Sequence, residues 1–432
     1  ATLANMHSDT DKSKRYIPLT TVSRNPKYLK QVIKEYDNDK FILKPMDGFG
    51  GSGVILLDKS STTSNHNVNS LLDFYINQGG KNNYIKDLEE EGHQIFAVSV
   101  GPISSNWDRA VEAFYQIKGG QVDYGFSHSE KNKIIRMPTG KSYAGLYPQW
   151  SNENPVHLIG HSMGGQTARM LHYLLTQEIN QNSSKKEESA FLGQSNSGWI
   201  KSITTISTPH DGTTLSHIIT STIPYVQYFA GIAGLFGNNY FHFDLEQFGI
   251  KKQKDETWLS FITGLKDNSI MNTKNFSSYD LSLVGAKDFN GYSQASPEVY
   301  YFSFITSTTK KDPKTRFQIP FEDTPLLNKA RAKLIGSRSG YWADGTQTDS
   351  LWFENDGVVN SVSMFGPTTG VNGADPIIEY DPKDLLITGQ WYWKKINQMD
   401  HWSVVGHFGS EEKKLRGFNI IKKHIKLLKT LQ

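Results

Sequence analysis

One short run limits what this chain can fold into: Gly160-His161-Ser162-Met163-Gly164-Gly165. The residues leading in, "VHLIG", have the pattern of a buried strand, and those leading out, "QTARMLHYLL", have helical spacing. Glycines at such a junction allow a turn tight enough to hold Ser162 at the strand's end with its hydroxyl exposed. The amide of Met163 then stands at a helix N-terminus, where it can donate to a developing oxyanion. Strand and helix signals alternate on both sides of this point. "HQIFAVSVG" (93–101) and "WIKSITTIST" (199–208) read as strands, and "NWDRAVEAFYQIKGG" (106–120) reads as a helix with Val111, Phe114, Tyr115 and Ile117 on one face. A further helix, "NYIKDLEEEG", stops at Gly92, a residue suited to the position after a helix. The alternation predicts an α/β fold whose mostly parallel sheet is covered on both faces.

A serine hydroxyl is a weak nucleophile near neutral pH. It needs a histidine base, and that histidine needs a carboxylate on its other nitrogen. In an α/β fold with this turn the order is serine, then Asp or Glu, then histidine. Asp356 in "ENDGVVNSV" and His401 in "MDHWSVVG" satisfy the order. Spacing alone does not separate His401 from His407, or Asp356 from Asp400. His161 and His210 read as structural.

The remaining composition narrows the chemistry. The 432 residues suffice for one large α/β domain or for two or three small ones, and 37% hydrophobic with 21% charged residues can bury a core. A formal charge of +3 gives no argument for a nucleic-acid partner. The absence of cysteine excludes disulfides, thiol nucleophiles and cysteine-held zinc. No apolar run approaches the length of a membrane span, so no transmembrane anchor is expected. The opening "ATLANMHSDTDKSK" has no apolar signal-peptide core, and Ala1 in place of methionine fits a processed start. Near the N-terminus, "KFILK" and "GVILL" read as strands around the bare run "KPMDGFGGSG" (44–53), and "KYLKQVIKEYDND" (27–39) reads as a helix. A turn so rich in glycine can cradle a phosphate or bring amides to an oxyanion. Residues 217–241 are apolar and interrupted by Gly and Pro, which fits either core or a lid over an apolar site. In the tail, Leu415, Phe418, Ile421, Ile425 and Leu428 fall at helical spacing with the lysines opposite, the pattern of a helix docked on the sheet.

Several motifs together carry a resemblance. "SNWDRAVEAF", "GGQVDYG", "GHSMGGQTARML", "TTISTPHDGTTL", "YDLSLVGA", "FENDGVVNSVSMFGP" and "MDHW", in order from about Gly79 onward, resemble the secreted true lipases of staphylococci and thermophilic bacilli. The resemblance implies an α/β-hydrolase fold with a lid, secretion, and cleavage of triacylglycerol esters at a lipid–water interface, with no cofactor for the chemistry. It implies Ser162 as nucleophile, Asp356 as acid, His401 as base and Met163 as one oxyanion donor. Residues 1–40 would be an extension and 41–432 the hydrolase domain, with 217–241 as lid.

The same family's metal and oxyanion motifs match in part. Its zinc ligands map onto Asp108, His128 and Glu246, while the second histidine position falls near Ile134, in a stretch without histidine. A tetrahedral site short of one ligand holds zinc weakly. The family's calcium carboxylates fall on Ser403 and Phe408, so that site is expected to be lost. The His-Gly-Phe turn that supplies the second oxyanion donor matches "MDGFGG", with Asp47 for histidine and Phe49 retained. Separately, residues 15–84 resemble a segment of ATP-grasp glutathione synthetases, in which Lys-Pro-x-Asp-Gly precedes a glycine loop over ATP phosphates. Two alternatives to a lipase follow: an ATP-dependent ligase activity of the N-terminal segment, and a non-catalytic hydrolase relative.

Overall fold

A computed structural model describes residues 84–177, 189, 192, 196–216, 246–249 and 273–431, with the side chains of 246, 326 and 327 excepted. It also describes the backbone of four strands nearer the N-terminus: β1 (Thr2–Asn5), β2 (Thr20–Val22), β3 (Lys40–Lys44) and β4 (Ile55–Asp58). These pair antiparallel in the order β2-β1-β3-β4. The strands expected on either side of the glycine run are therefore present, and the expected boundary at residue 40 falls at the first residue of β3, inside one sheet. Phe49, the helix expected over 27–39 and the lid candidate 217–241 lie outside the described residues.

Among the described residues three helices precede the nucleophile turn: α1 (Tyr84–Glu90), α2 (Asn106–Lys118) and the short α3 (Phe126–Asn132), which the ribbon of β5 (Gly120–Gln121) and β6 (Ser142–Tyr143) flanks in sequence. The central sheet is built from β7 (Val156–His161), β8 (Ile200–Ile206), β9 (Tyr300–Ser307), β12 (Ile377–Glu379) and β13 (Trp391–Asn397). Its order is β12-β13-β9-β8-β7, and every pairing is parallel. A ribbon of β10 (Thr309–Lys311) and β11 (Gln318–Pro320) lies between β9 and β12 in sequence. The remaining α-helices among the described residues are α4 (Met163–Thr176), α5 (Ser277–Asp280), α6 (Leu283–Asn290), α7 (Leu326–Ile335) and α8 (Glu411–Leu428).

Side chains alternate across each strand, so neighbouring residues face opposite layers. Tyr301, Ile203 and Trp391 join Val111, Phe114, Leu171 and Leu174 of α2 and α4 in the main core. Phe302 and Tyr392 pack with Leu428, and Phe304 and Ile396 with Ile420 and Ile421, all from α8. Helices therefore cover both faces, as the α/β reading expects.

Two expectations are corrected. Residues 93–101 form no strand and belong to no ladder among the described residues. Side chains of α2 hold their backbone instead: Ser99 N donates to Gln116 Oε1 at 2.8 Å, and Gly101 N donates to Glu112 Oε2 at 2.8 Å. The tail does form a docked helix, but rotated from the expected face. Leu415 is 57% exposed, while Lys413, Lys414, Gly417 and His424 are buried. Gly417 sets this rotation, because a Cβ there would sit 2.5 Å from the Val404 carbonyl oxygen. The backbone approach fixes which ridge faces inward. The lysine stems then bury while their ammonium groups reach Asp323 and Glu411.

Burial leaves two histidines of these layers neutral. Desolvation alone lowers His172 to about 4, and desolvation with the charge of His157 lowers His424 to about 3. Both folded values lie below the ordinary histidine value near 6.5, so the unfolded chain takes up these protons first. The stability they contribute is complete above about pH 6.5 and is lost as the pH falls toward the folded values. Buried carboxylates such as Asp211 and Asp375, raised by desolvation, act in the opposite direction. Comparing variant with wild type isolates the histidine effect. His172→Leu is expected to flatten the fall in unfolding free energy between pH 6.5 and 4, by up to about 3 kcal/mol at the acid end, with the thermal midpoint following. Parallel calorimetric pH profiles for the two proteins would refute this.

Candidate active site

The nucleophile turn is enforced locally. Ser162 has φ 56° and ψ −130°, a strained conformation for a side-chain-bearing residue. Its N–H donates to the Ile206 carbonyl at 2.8 Å, and its carbonyl accepts from Gly165 N and from Thr208 Oγ1. The glycines have separate jobs. A Cβ on Gly160 would lie 2.4 Å from the backbone of Gly164, and one on Gly165 would lie 2.2 Å from Thr208 Oγ1. Gly160 thus lets the strand touch the turn, and Gly165 lets α4 lie against the end of β8. Met163 is the first residue of α4, where amides have no partner within the helix.

The base comes from the loop after β13, and its carboxylate from the long connection between β9 and β12, just after a 3₁₀ turn at Ser350–Phe353. His401 Nδ1 donates to Asp356 Oδ2 at 2.8 Å, and both side chains are fully buried. His401 Nε2, the nitrogen that would take a proton, has no hydrogen-bond partner among the described residues. Asp356 is held by four donors in all. Oδ1 accepts from Val358 N and Val359 N at 3.0 and 2.8 Å, and Oδ2 accepts from Thr306 Oγ1 at 2.7 Å as well as from His401. Ser207 Oγ donates in turn to Thr306 Oγ1 at 2.7 Å. The backbone is tied too, with His401 N donating to Asp356 O at 3.1 Å.

The alternatives left open by spacing sit elsewhere. Asp400 accepts from Asn328 Nδ2 at 2.7 Å and from the hydroxyl of Ser403. The N–H of His407 donates to Trp402 O. His210 is fully buried, bonded to Thr205 Oγ1 at 3.0 Å and stacked edge-on to Trp391, which fits its structural reading. Thr306 was missed by sequence reasoning, because a threonine near the end of a strand carries no signal of its partner 50 residues on.

The metal motifs fare differently. Asp108 and His128 do come together, but as a direct hydrogen bond of 2.7 Å from His128 Nε2 to Asp108 Oδ1. Asn275 Nδ2 donates to the other carboxylate oxygen at 3.0 Å, and the ring of His128 stacks on Trp107 at 4.6 Å. Ile134 is buried where a second histidine would fall. Glu246 opens a single 3₁₀ turn, and its side chain lies outside the described residues. Among the described residues no group of three His, Asp or Glu side chains could hold a metal ion. This set does not fit a tetrahedral zinc site. At the calcium positions, the Ser403 hydroxyl donates to Asp400 and the Phe408 ring faces Trp402, so neither supplies a carboxylate oxygen.

A parallel sheet flanked by helices, with a serine on a strained strand-to-helix turn, is the architecture of an α/β-hydrolase. The family model described as "Lipase-like, C-terminal domain" matches residues 52–419, and the chain belongs to that family. It is 35% identical over 296 residues to Lipase 1 of Staphylococcus aureus strain MRSA252, covering 67% of this chain and 42% of that protein. It is 31% identical over 385 residues to a lipase of Staphylococcus epidermidis, covering 84% and 51%. The chain thus spans about half the length of the curated relatives it matches. Among solved structures, EstA from Clostridium botulinum superposes with a TM-score of 0.69 at 38% identity, over 78% of this chain and 79% of that one. Staphylococcus hyicus lipase gives 0.67 at 28% identity, over 81% and 89%. The likeness of residues 15–84 to an ATP-grasp segment is not borne out. The family match begins at residue 52, inside that segment, and the staphylococcal relatives are lipases. No helix among the described residues is long and apolar enough to cross a membrane.

Proposed function

We propose that this chain is a triacylglycerol lipase, a serine hydrolase acting through an acyl-enzyme, with residues 41–432 as its catalytic unit. The observation that carries the reading is the buried Asp356–His401 pair, with His401 Nε2 free of other partners among the described residues, in a fold that holds Ser162 on a strained turn. Ser162 Oγ attacks the ester carbonyl carbon as its proton passes to His401 Nε2. Asp356 holds Nδ1–H and stabilises the imidazolium that forms. The amide of Met163 and that of Phe49 receive the oxyanion. Collapse of the tetrahedral intermediate breaks the ester C–O bond, and the departing alcohol takes the proton from His401. A water, deprotonated by the same nitrogen, then releases the fatty acid and restores Ser162. No metal takes part in these steps.

The enzyme is read as secreted and as working at the lipid–water interface, with residues 217–241 as its lid. The test is initial rate on short- and long-chain glycerol esters, below and above the concentration at which an emulsion forms. The expected result is a severalfold or greater rise once the interface appears, largest for long chains. Hydrolysis confined to dissolved short-chain esters, with no rise at the interface, would make it an esterase without a lid.

A further inference from the structure

His161 directly precedes the proposed nucleophile in the chain and touches its base. It ends β7, one residue before Ser162, and its Nε2 lies 2.8 Å from the backbone carbonyl oxygen of His401. A carbonyl only accepts, so Nε2 carries the hydrogen and Nδ1 is bare. The two imidazole rings stand 4.6 Å apart, and the Trp402 ring lies 5.9 Å from His161. The main chain of His401 is thereby held from both sides: its N–H by the Asp356 carbonyl, its C=O by His161. With Nδ1 bonded to Asp356 Oδ2, these contacts leave the ring little freedom in where Nε2 points.

We propose that His161 is a positioning residue, whose Nε2–H bond to the His401 carbonyl sets the aim of the base toward Ser162. The inference rests on the triad reading above. A group this close to a forming imidazolium has to stay uncharged, or it would oppose the charge the reaction creates. Burial chiefly, then the neighbouring charge of His401, holds His161 well below the usual histidine range; the bond to the His401 carbonyl acts the other way, and His407 adds to the lowering. These histidines are the titratable groups facing it, with Trp402 the neutral ring beside them. A misplacement of about 1 Å at a reacting atom can cost on the order of a hundredfold in rate.

The test compares His161→Phe, which keeps a ring and loses the donor, with His161→Gln, which keeps a donor and loses the ring. Rates are measured on a soluble p-nitrophenyl ester at 20 °C, with folding checked by circular dichroism and Ser162→Ala as control. The expected result for His161→Phe is a fall in kcat of about 10- to 100-fold with KM within twofold. The acid limb of kcat/KM should keep its position, and His161→Gln should recover most of the rate. Wild-type kcat in His161→Phe, or equal losses in both variants, would overturn the positioning role while a dead Ser162→Ala leaves the triad standing. An active Ser162→Ala would instead remove the triad reading itself. Should His161→Phe not fold, nitrogen-15 NMR of the wild-type imidazoles decides: the Nε2–H tautomer at His161 supports the role, and the Nδ1–H tautomer refutes it.

Discussion

Ser162→Ala is expected to lower kcat on any ester by about 10⁴- to 10⁶-fold while leaving the fold intact. The two halves of this expectation have separate grounds. The turn around Ser162 is held by its backbone, through Ile206 O, Gly165 N and Thr208 Oγ1, and by the close approaches at Gly160 and Gly165. None of these involves the hydroxyl, and alanine keeps the Cβ that already occupies the strained conformation. Thermal midpoint should therefore move little. The chemistry has no substitute for the oxygen: without it, His401 can at best activate a water, and no acyl-enzyme forms. Titration of released acid, with circular dichroism on the same sample, measures both halves. A folded variant that still cleaves esters at even a tenth of the wild-type rate would rule out Ser162 as nucleophile.

What could be read from the sequence follows from how local each determinant is. The nucleophile turn is local: strand, glycines, serine and helix lie within one short window, and β7 and α4 both form there, but β7 is half-exposed where a buried strand was expected, with Ile159 42% exposed, and α4 starts at Met163, ahead of the run that carries the helical spacing. Asp356 and His401 could be named as candidates, but the choice over Asp400 and His407 depended on a contact across 45 residues. His161 bonds a residue 240 positions away, and no local pattern announces that. The tail helix shows the same division. Its existence was legible from periodicity, while its rotation was decided by one backbone approach, Gly417 on Val404. Residues 93–101 have strand composition but are fastened by side chains of α2. In the zinc motif, the type of residue at each position was legible. The direct bond between Asp108 and His128 became visible only when α2 and α3 were brought together.

The second large effect falls on the carboxylate. Asp356 uses both oxygens as acceptors, Oδ1 toward two amides and Oδ2 toward His401 and Thr306. In Asp356→Asn one of these positions becomes an NH₂. The two amide donors at Oδ1 can only be met by the carbonyl oxygen, so the NH₂ must face His401. Nδ1 of His401 then has to accept rather than donate. The imidazole is forced into the tautomer with its proton on Nε2, where it cannot take the proton of Ser162. The expected loss in kcat is about 10⁴-fold, with KM little changed and the fold retained, because the side chain is isosteric and its two amide contacts persist, while His401 and Thr306 both turn from donating to accepting. Nitrogen-15 NMR of His401 should show the reversed tautomer in the same variant. The tautomer and the rate must change together. A variant with the reversed tautomer and near-normal kcat would mean that another group takes the proton. A variant with the original tautomer and a large loss would mean that Asp356 acts through its charge on the imidazolium, with ring orientation secondary.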